Sequence, residues 1–230
     1  MLEELKQLVC EANRKLVEEG LVVQTFGNVS GVDRDGGHLV IKPSGVAYDE
    51  LTPERMVVVS LESGEPVEGL LRPSSDTPTH RVLYGELAGI GGIVHTHSLC
   101  ATAWAQARRE IPPFGTTHAD YFFGPVPCTR VLTDEEIGTD YEANTGRVIA
   151  ERFADLDVAS LPGVLVASHG PFAWGASPEE AVHNAVVLEH LARLAAATVA
   201  IDPYPKAVSF KLLEKHYLRK HGPGAYYGQK

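Results

Sequence analysis

The sequence predicts a single α/β domain in which strands and helices are mixed along the chain and helices cover the sheet. Three observations carry that expectation. Short apolar runs bounded by Gly, Asp and Ser turns alternate with longer stretches whose apolar residues recur at helical spacing. The chain has 230 residues, 44% hydrophobic and 22% charged, a size and composition that one core accommodates. No repeat, low-complexity stretch or shift of composition marks a linker.

Leu2, Leu5, Val9, Ala12, Leu16 and Val17 share a helical face, so an opening helix is expected to end near Gly20. Residues 21–24 and 39–41 read as short strands, with Asp33-Arg34-Asp35-Gly36-Gly37 turning between them. Residues 56–61 give another strand, followed by a Ser63-Gly64 turn. Pro78 begins a helix running to about Leu87, with Thr77 as its expected N-cap. Ile93 and Val94 start the next strand, and a helix follows over 101–107. Pro112-Pro113-Phe114-Gly115 breaks it and opens a loop through Asp120. Thr133-Asp134-Glu135-Glu136 turns ahead of a helix over 140–153, and a strand over 164–166 leads to His169. Ser177-Pro178-Glu179-Glu180 heads the longest helix with a capping-box-like pattern. A last, basic helix over 208–221 ends in a Gly-rich tail.

A formal charge of −10 argues against a nucleic-acid partner, yet leaves room for a phosphorylated substrate held by a few amides and one or two cations. The three cysteines, Cys10, Cys100 and Cys128, are widely spaced and fit a reducing compartment as packing residues. Met1 leads straight into a helical pattern, so no signal peptide is expected. The most apolar stretch, 181–201, is interrupted by His183, Glu189, His190 and Arg193; it reads as a buried helix, with no membrane partner, and a cytoplasmic location follows.

The candidate chemistry gathers where the strands end. In Gly92-Ile93-Val94-His95-Thr96-His97, strand alternation turns both imidazoles to one face, ready for a divalent ion such as zinc. His169 offers a third imidazole, and Asp76, in Pro73-Ser74-Ser75-Asp76-Thr77-Pro78, a carboxylate. Three polar turns suit an anion: Gly27-Asn28, Lys42-Pro43-Ser44-Gly45 and Ser74-Ser75. Their small residues admit a phosphate to backbone N–H groups, their hydroxyls donate, and Lys42 adds charge. Asp120, in a polar loop, reads either as a general base or as a cap or surface turn. His216, Arg219 and His221 are either a solvated basic face or the lining of an anionic site, and the adjacent Tyr226 and Tyr227 suggest that the tail docks.

These motifs, together with Thr116-Thr117-His118-Ala119-Asp120-Tyr121 and Lys215-His216-Tyr217-Leu218-Arg219-Lys220-His221, resemble the class II aldolase and adducin-head family, from Leu2 to the C-terminus. The resemblance is to its sugar-phosphate 4-epimerase branch. It implies one domain over 1–230, with a mostly antiparallel sheet covered by helices on both faces and a tail, 222–230, that completes the active site. It implies an isomerase that interconverts L-ribulose 5-phosphate and D-xylulose 5-phosphate in pentose breakdown, such as that of L-arabinose. Retro-aldol cleavage of C3–C4 and re-addition, through a metal-stabilised enediolate, would invert C4.

Carried over by position, the resemblance implies that Asp76, His95, His97 and His169 hold one Zn²⁺ per subunit, with Mn²⁺ or Co²⁺ as substitutes. Gly27, Asn28, Lys42, Ser44, Gly45, Ser74 and Ser75 would bind substrate, chiefly its phosphate. Asp120 and Tyr227 would be the acid/base pair, supported by His216, Thr116 and Arg219, in a fourfold-symmetric homotetramer with interfacial sites. Aldolases of the family, such as those for L-fuculose or rhamnulose phosphate, carry glutamate where this chain has Asp76, so the chain keeps the epimerase pattern. Phe26 stands where the epimerases have tryptophan. A metal-free binding module, as in adducin, fits poorly with three intact histidines, and a zinc hydrolase would want a His-Glu-x-x-His motif that is not present.

Overall fold

Strand β1 (Asn28–Asp33) runs through the middle of a seven-stranded sheet, buried along most of its length, in a computed structural model that describes residues 2–228. β2 (His38–Ile41), β3 (Val57–Ser60) and β4 (Pro66–Glu68) lie to one side of it. β5 (Gly92–His95), β7 (Pro171–Gly175) and β6 (Gly163–Leu165) lie to the other. The pairings between these strands are antiparallel, in the order β4-β3-β2-β1-β5-β7-β6.

Alternation along the strands divides the core into two layers. Val40 and Val58 meet Val9 and Cys10 of α1 (Leu2–Glu18). Val29, Val94 and Ala173 meet Leu16 of α1 and Ala181, Val182 and Ala185 of α7 (Pro178–Ile201). On the opposite face, Leu39, Ile41, Val57, Val59 and Ile93 pack with Leu83 and Tyr84 of α2 (Thr77–Glu86) and Ile149 of α6 (Tyr141–Arg152). The apolar helix α7 is long enough to cross a bilayer, but it lies along β7 and β5 with Leu188, Leu191 and Ala192 buried, as its interrupted sequence suggested. The remaining helices are α3 (Leu99–Gln106), α4 (Thr116–Ala119), α5 (Asp134–Gly138) and α8 (Phe210–Lys220).

Several local expectations are corrected. Residues 21–24 form no strand: the Leu21 N–H bonds back to Leu16 O (2.9 Å), closing the helix, and Gln24 turns with φ 53°. The first strand starts at Asn28 instead. The N-cap of α2 is Asp76, not Thr77, and its carboxylate makes no capping bond. β6 ends at Leu165, so His169 sits in the turn to β7, next to Ser168 in a left-handed conformation (φ 64°). Only half of the box expected at α7 forms: Ser177 accepts from the Glu180 N–H, while the Glu180 carboxylate takes the Ala176 N–H. A full capping box closes on Thr133 and Glu136, where only a turn was expected.

Candidate functional site

The antiparallel pairing of β1 with β5 and β7 determines which residues meet at one end of the sheet. Asn28 stands opposite His95, and Phe172 faces His95 from the other side. His95 and His97 project the same way, as expected, with their Nε2 atoms 3.1 Å apart, although the assigned strand β5 ends at His95 and His97 lies just beyond it. Gly170 lets the His169 turn close: a Cβ on Gly170 would come within 2.9 Å of Thr96 O. The ring centroids of His95 and His97 are 4.9 Å apart, those of His95 and His169 4.7 Å, and those of His97 and His169 5.2 Å.

Their nearest nitrogens all lie within 4.8 Å of one another, and Nε2 of His95 and Nε2 of His97 are 3.1 Å apart. Three imidazole nitrogens about 2.1 Å from a tetrahedral zinc ion would be about 3.4 Å apart, so the cluster is close to a metal-binding arrangement. The protonation states suit it as well. His95 Nδ1 donates to Pro171 O (3.0 Å), which leaves its Nε2 lone pair facing the cluster. Burial pushes the His95 pKa down, and burial with the neighbouring His95 and His97 pushes His169 down to about 3. Both rings are therefore neutral near pH 7, the form in which an imidazole can bind a metal.

Asp76 borders this cluster. Burial alone would raise its pKa, but His95, His80 and the Asn28 amide outweigh burial and keep it low, so it is ionised. Asn28 Nδ2 donates to Asp76 Oδ2 (2.6 Å) and to Ser74 Oγ (3.1 Å). The Lys42 and Ser74 turns are joined by a bridge between Pro43 and Pro73 and by the bonds Ser44 N to Arg72 O and Ser74 N to Lys42 O. Ser44, Gly45 and Ser75 are exposed there. The Lys42 side chain is buried, with its ammonium on Pro43 O (3.4 Å) and over the Tyr48 ring (4.9 Å), and burial lowers its pKa. Gly27, at φ 81°, admits no side chain, since a Cβ would lie 2.8 Å from His95 O. Every metal and phosphate candidate named from the sequence is therefore gathered on this one side, although Asp76 stays just outside the tight triad.

The acid/base candidates form a separate group. Asp120 caps the C-terminal end of α4, which also carries the exposed Thr116, and it is buried against α8. Arg219 donates Nε to Oδ1 (2.9 Å) and Nη2 to Oδ2 (2.5 Å), His216 Nδ1 donates to Oδ1 (3.0 Å), and Lys220 lies 3.7 Å from Oδ2. Burial raises the Asp120 pKa, but the hydrogen bonds from Arg219 and His216 and the charges of Lys220 and Arg219 outweigh it and hold the carboxyl below its usual range. The tail folds back on α8, with the Tyr227 ring 4.9 Å from the Arg219 guanidinium and 4.6 Å from the Lys220 ammonium. The anion that the basic helix was expected either to line or to leave to solvent is thus Asp120 of the same chain. Tyr121 and His221 flank Gly89, Ile90, Gly175 and Ala176, at the end where β5 begins, whereas His95 stands where β5 finishes. Within one chain the two groups sit at opposite ends of that strand.

Sequence reasoning missed three neighbours of the histidines. Phe172 stacks on His95 (4.2 Å), the Tyr141 hydroxyl is 3.4 Å from His169 Nδ1, and His80 lies buried beneath the site. Nothing local in the sequence assigns Phe172, Tyr141 or His80 a role.

Comparison with known proteins identifies relatives and a family. The chain is 54% identical over 229 residues to the L-ribulose-5-phosphate 4-epimerase UlaF of Salmonella paratyphi B and of Salmonella typhi, covering 100% of both sequences in each case. A solved L-fuculose 1-phosphate aldolase superposes with TM-score 0.79 at 25% identity, over 94% of this chain and 95% of that one. The L-fuculose-1-phosphate aldolase of Thermus thermophilus does so with TM-score 0.67 at 25% identity, over 89% and 100%. Residues 7–196 match the class II aldolase and adducin N-terminal domain, a span that includes all three clustered histidines, and the chain belongs to that family.

Proposed function

We propose that the chain is a metal-dependent L-ribulose-5-phosphate 4-epimerase that interconverts L-ribulose 5-phosphate and D-xylulose 5-phosphate by breaking and remaking C3–C4. The observation that carries this reading is the convergence of three imidazoles beside the Asn28–Asp76 pair, in a chain 54% identical over its length to relatives that bear that name. C4–H is not adjacent to the C2 carbonyl, so simple deprotonation cannot invert that centre. A divalent ion on His95, His97, His169 and Asp76, zinc by the chemistry of the ligands and replaceable by Mn²⁺ or Co²⁺, would supply Lewis acidity.

The chain's own residues do the rest. Ser44, Gly45, Ser74 and Ser75, with Gly27 and Asn28, hold the phosphate, and the buried Lys42 ammonium, which has no carboxylate partner among the described residues, gains a counter-charge from it. The anchored two-carbon fragment can then present its other carbonyl face for re-addition. One group accepts the C4 hydroxyl proton as C3–C4 breaks, and another returns a proton to the new hydroxyl from the opposite side. We assign these roles to Asp120 and Tyr227, with Thr116, His216 and Arg219 in support.

Both groups stand at the far end of β5 from the imidazoles, which supports a C4 homotetramer whose neighbouring copy completes each site with its tail. The substrate is a small phosphorylated ketopentose, as pentose breakdown in the cytoplasm would supply.

The test is incubation of zinc-loaded protein with L-ribulose 5-phosphate and coupled detection of D-xylulose 5-phosphate. Rapid, chelator-sensitive turnover is expected. Accumulation of glycolaldehyde phosphate without xylulose phosphate would identify an aldolase instead.

A further inference from the structure

The three turns assigned to the phosphate come from separate stretches of chain, and specific bonds hold them in register. The Lys42 and Ser74 turns are joined through the backbone, Ser44 N to Arg72 O (2.9 Å) and Ser74 N to Lys42 O (3.0 Å). Asn28 ties the Gly27 turn to the Ser74 turn through Ser74 Oγ (3.1 Å). Tyr48, a residue given no role so far, links the Gly27 turn to the Lys42 turn. It opens a 3₁₀ turn (Tyr48–Glu50) just beyond Gly45, and its hydroxyl donates to Phe26 O (2.8 Å) and to Gly27 O (2.9 Å).

The Tyr48 side chain is buried, and its ring belongs to the core formed by Val9, Val40, Leu51 and Val58. Burial raises the pKa of the phenol, so the hydroxyl keeps its proton and shares it between the two carbonyls. A trans peptide points its C=O and its N–H in opposite directions, and no peptide among the described residues is cis. With the carbonyls of Phe26 and Gly27 turned to Tyr48, the N–H groups of Gly27 and Asn28 are turned away from it. Gly27 permits this at φ 81°, where a side chain would strike His95 O. The ring acts on the second turn as well, because the Lys42 ammonium lies 4.9 Å from its centroid.

We propose that Tyr48 is a positioning residue for the substrate phosphate: its hydroxyl sets the direction of the Gly27 and Asn28 N–H groups and its ring seats the Lys42 ammonium, so that one side chain aligns two of the three turns. The inference rests on the phosphate lying on these turns, as proposed above. It requires nothing of the metal or of the acid/base residues.

Two measurements test it. The first is calorimetric binding of inorganic phosphate to the metal-free full chain, in the parent and in Tyr48→Phe, which keeps the ring and removes only the donor. Affinity is expected to fall about 3–10-fold, as for the loss of one hydrogen bond. Tyr48→Leu, which also takes the ring from the Lys42 ammonium, should lose about tenfold more. This readout needs neither metal nor turnover. The second is steady-state turnover of the zinc-loaded protein with L-ribulose 5-phosphate. In Tyr48→Phe, KM should rise by more than kcat falls, because the phosphate is held alike in the ground and transition states. A tyrosine that merely supported the core would lower the fraction of active protein, and so kcat, at constant KM. Parental phosphate affinity in Tyr48→Phe overturns the proposal, as does a loss confined to kcat. If Tyr48→Leu does not fold, the phenylalanine variant decides. A parent protein that binds no inorganic phosphate would sink the placement of the phosphate itself, and the proposal with it, a failure visible before any variant is made.

Discussion

The two ends of β5 hold functional groups in opposite ways. At the His95 end, short side chains are fixed by strands and backbone acceptors: His95 is pinned to Pro171 O and stacked on Phe172, and Asn28 is placed by its pairing with His95. At the other end, Asp120 is held by long cationic side chains from α8, a helix in which only Leu213 is buried. In the first arrangement the His95 imidazole is fixed by a backbone acceptor and by stacking on a strand residue. The second is ionic and depends on one helix and its tail staying docked. A metal site benefits from the first, because misplacing a ligand loses affinity directly. A proton carrier that must approach a turning substrate is compatible with the second.

Substitutions should separate the two ends. His97→Asn removes one of the proposed metal ligands, and loss of the ion's several kcal/mol should reduce kcat/KM by about 10⁴-fold while bound zinc, measured by atomic absorption, falls in parallel. Asp120→Asn should leave zinc stoichiometry unchanged and lower kcat by at least about a hundredfold. If zinc were lost as well, the two ends would be coupled, and the contrast between them would fail.

Acid should act next, through a buried histidine in each group. His80 and His118, held by burial near 3 and 4, remain neutral in the fold, whereas the unfolded chain protonates them below about 6.5. Their folded values lie below the unfolded one, so the stability they contribute is complete above pH about 6.5. It is lost as pH falls towards those values, by up to about 1.4 kcal/mol per histidine per pH unit. Asp120 also has a lowered value, but its contribution disappears only below about 3.9, as pH falls through its folded pKa. Urea unfolding should therefore give lower stability at pH 5 than at pH 7, with a smaller drop in His118→Gln. Equal slopes in that variant and the parent would remove His118 as a cause. High salt at pH 7 should have the complementary effect and loosen α8, seen as faster amide exchange in residues 210–220.

The smallest effect is expected at Phe26, half exposed with its ring centroid 6.2 Å from that of His97. Phe26→Trp should change stability by less than about 0.5 kcal/mol and leave kcat/KM near that of the parent. A large gain would mean that this ring touches the substrate.

The sheet end is legible in the sequence because its parts are local. His95, His97, the Gly27-Asn28 turn and the Lys42 and Ser74 turns each carry their chemistry within a few residues, and only their meeting required the fold. Strand alternation predicts the right pair, although the assigned strand stops at His95, two residues short of His97. β7 went unnoticed because Pro171-Phe172-Ala173-Trp174 begins with proline and is buried on both faces, leaving no polar alternation to read. The Asp120 clamp could not be read, because its bonds to Arg219 span 99 residues and a basic helix alone does not name its counter-ion.

The placement of the two groups at opposite ends of β5 has a genetic consequence. In a closed ring of four copies, each working centre would combine the imidazoles of one polypeptide with the carboxylate of the next. Two alleles, each inactive, would then rescue one another. Chains carrying His97→Asn and chains carrying Asp120→Asn, refolded together in equal amounts, would assemble centres in which neither lesion is present, and about a quarter of all centres would be intact by random mixing. A site built wholly within one chain would show no such rescue, so a simple cross between two dead variants reports on architecture without any image of the assembly.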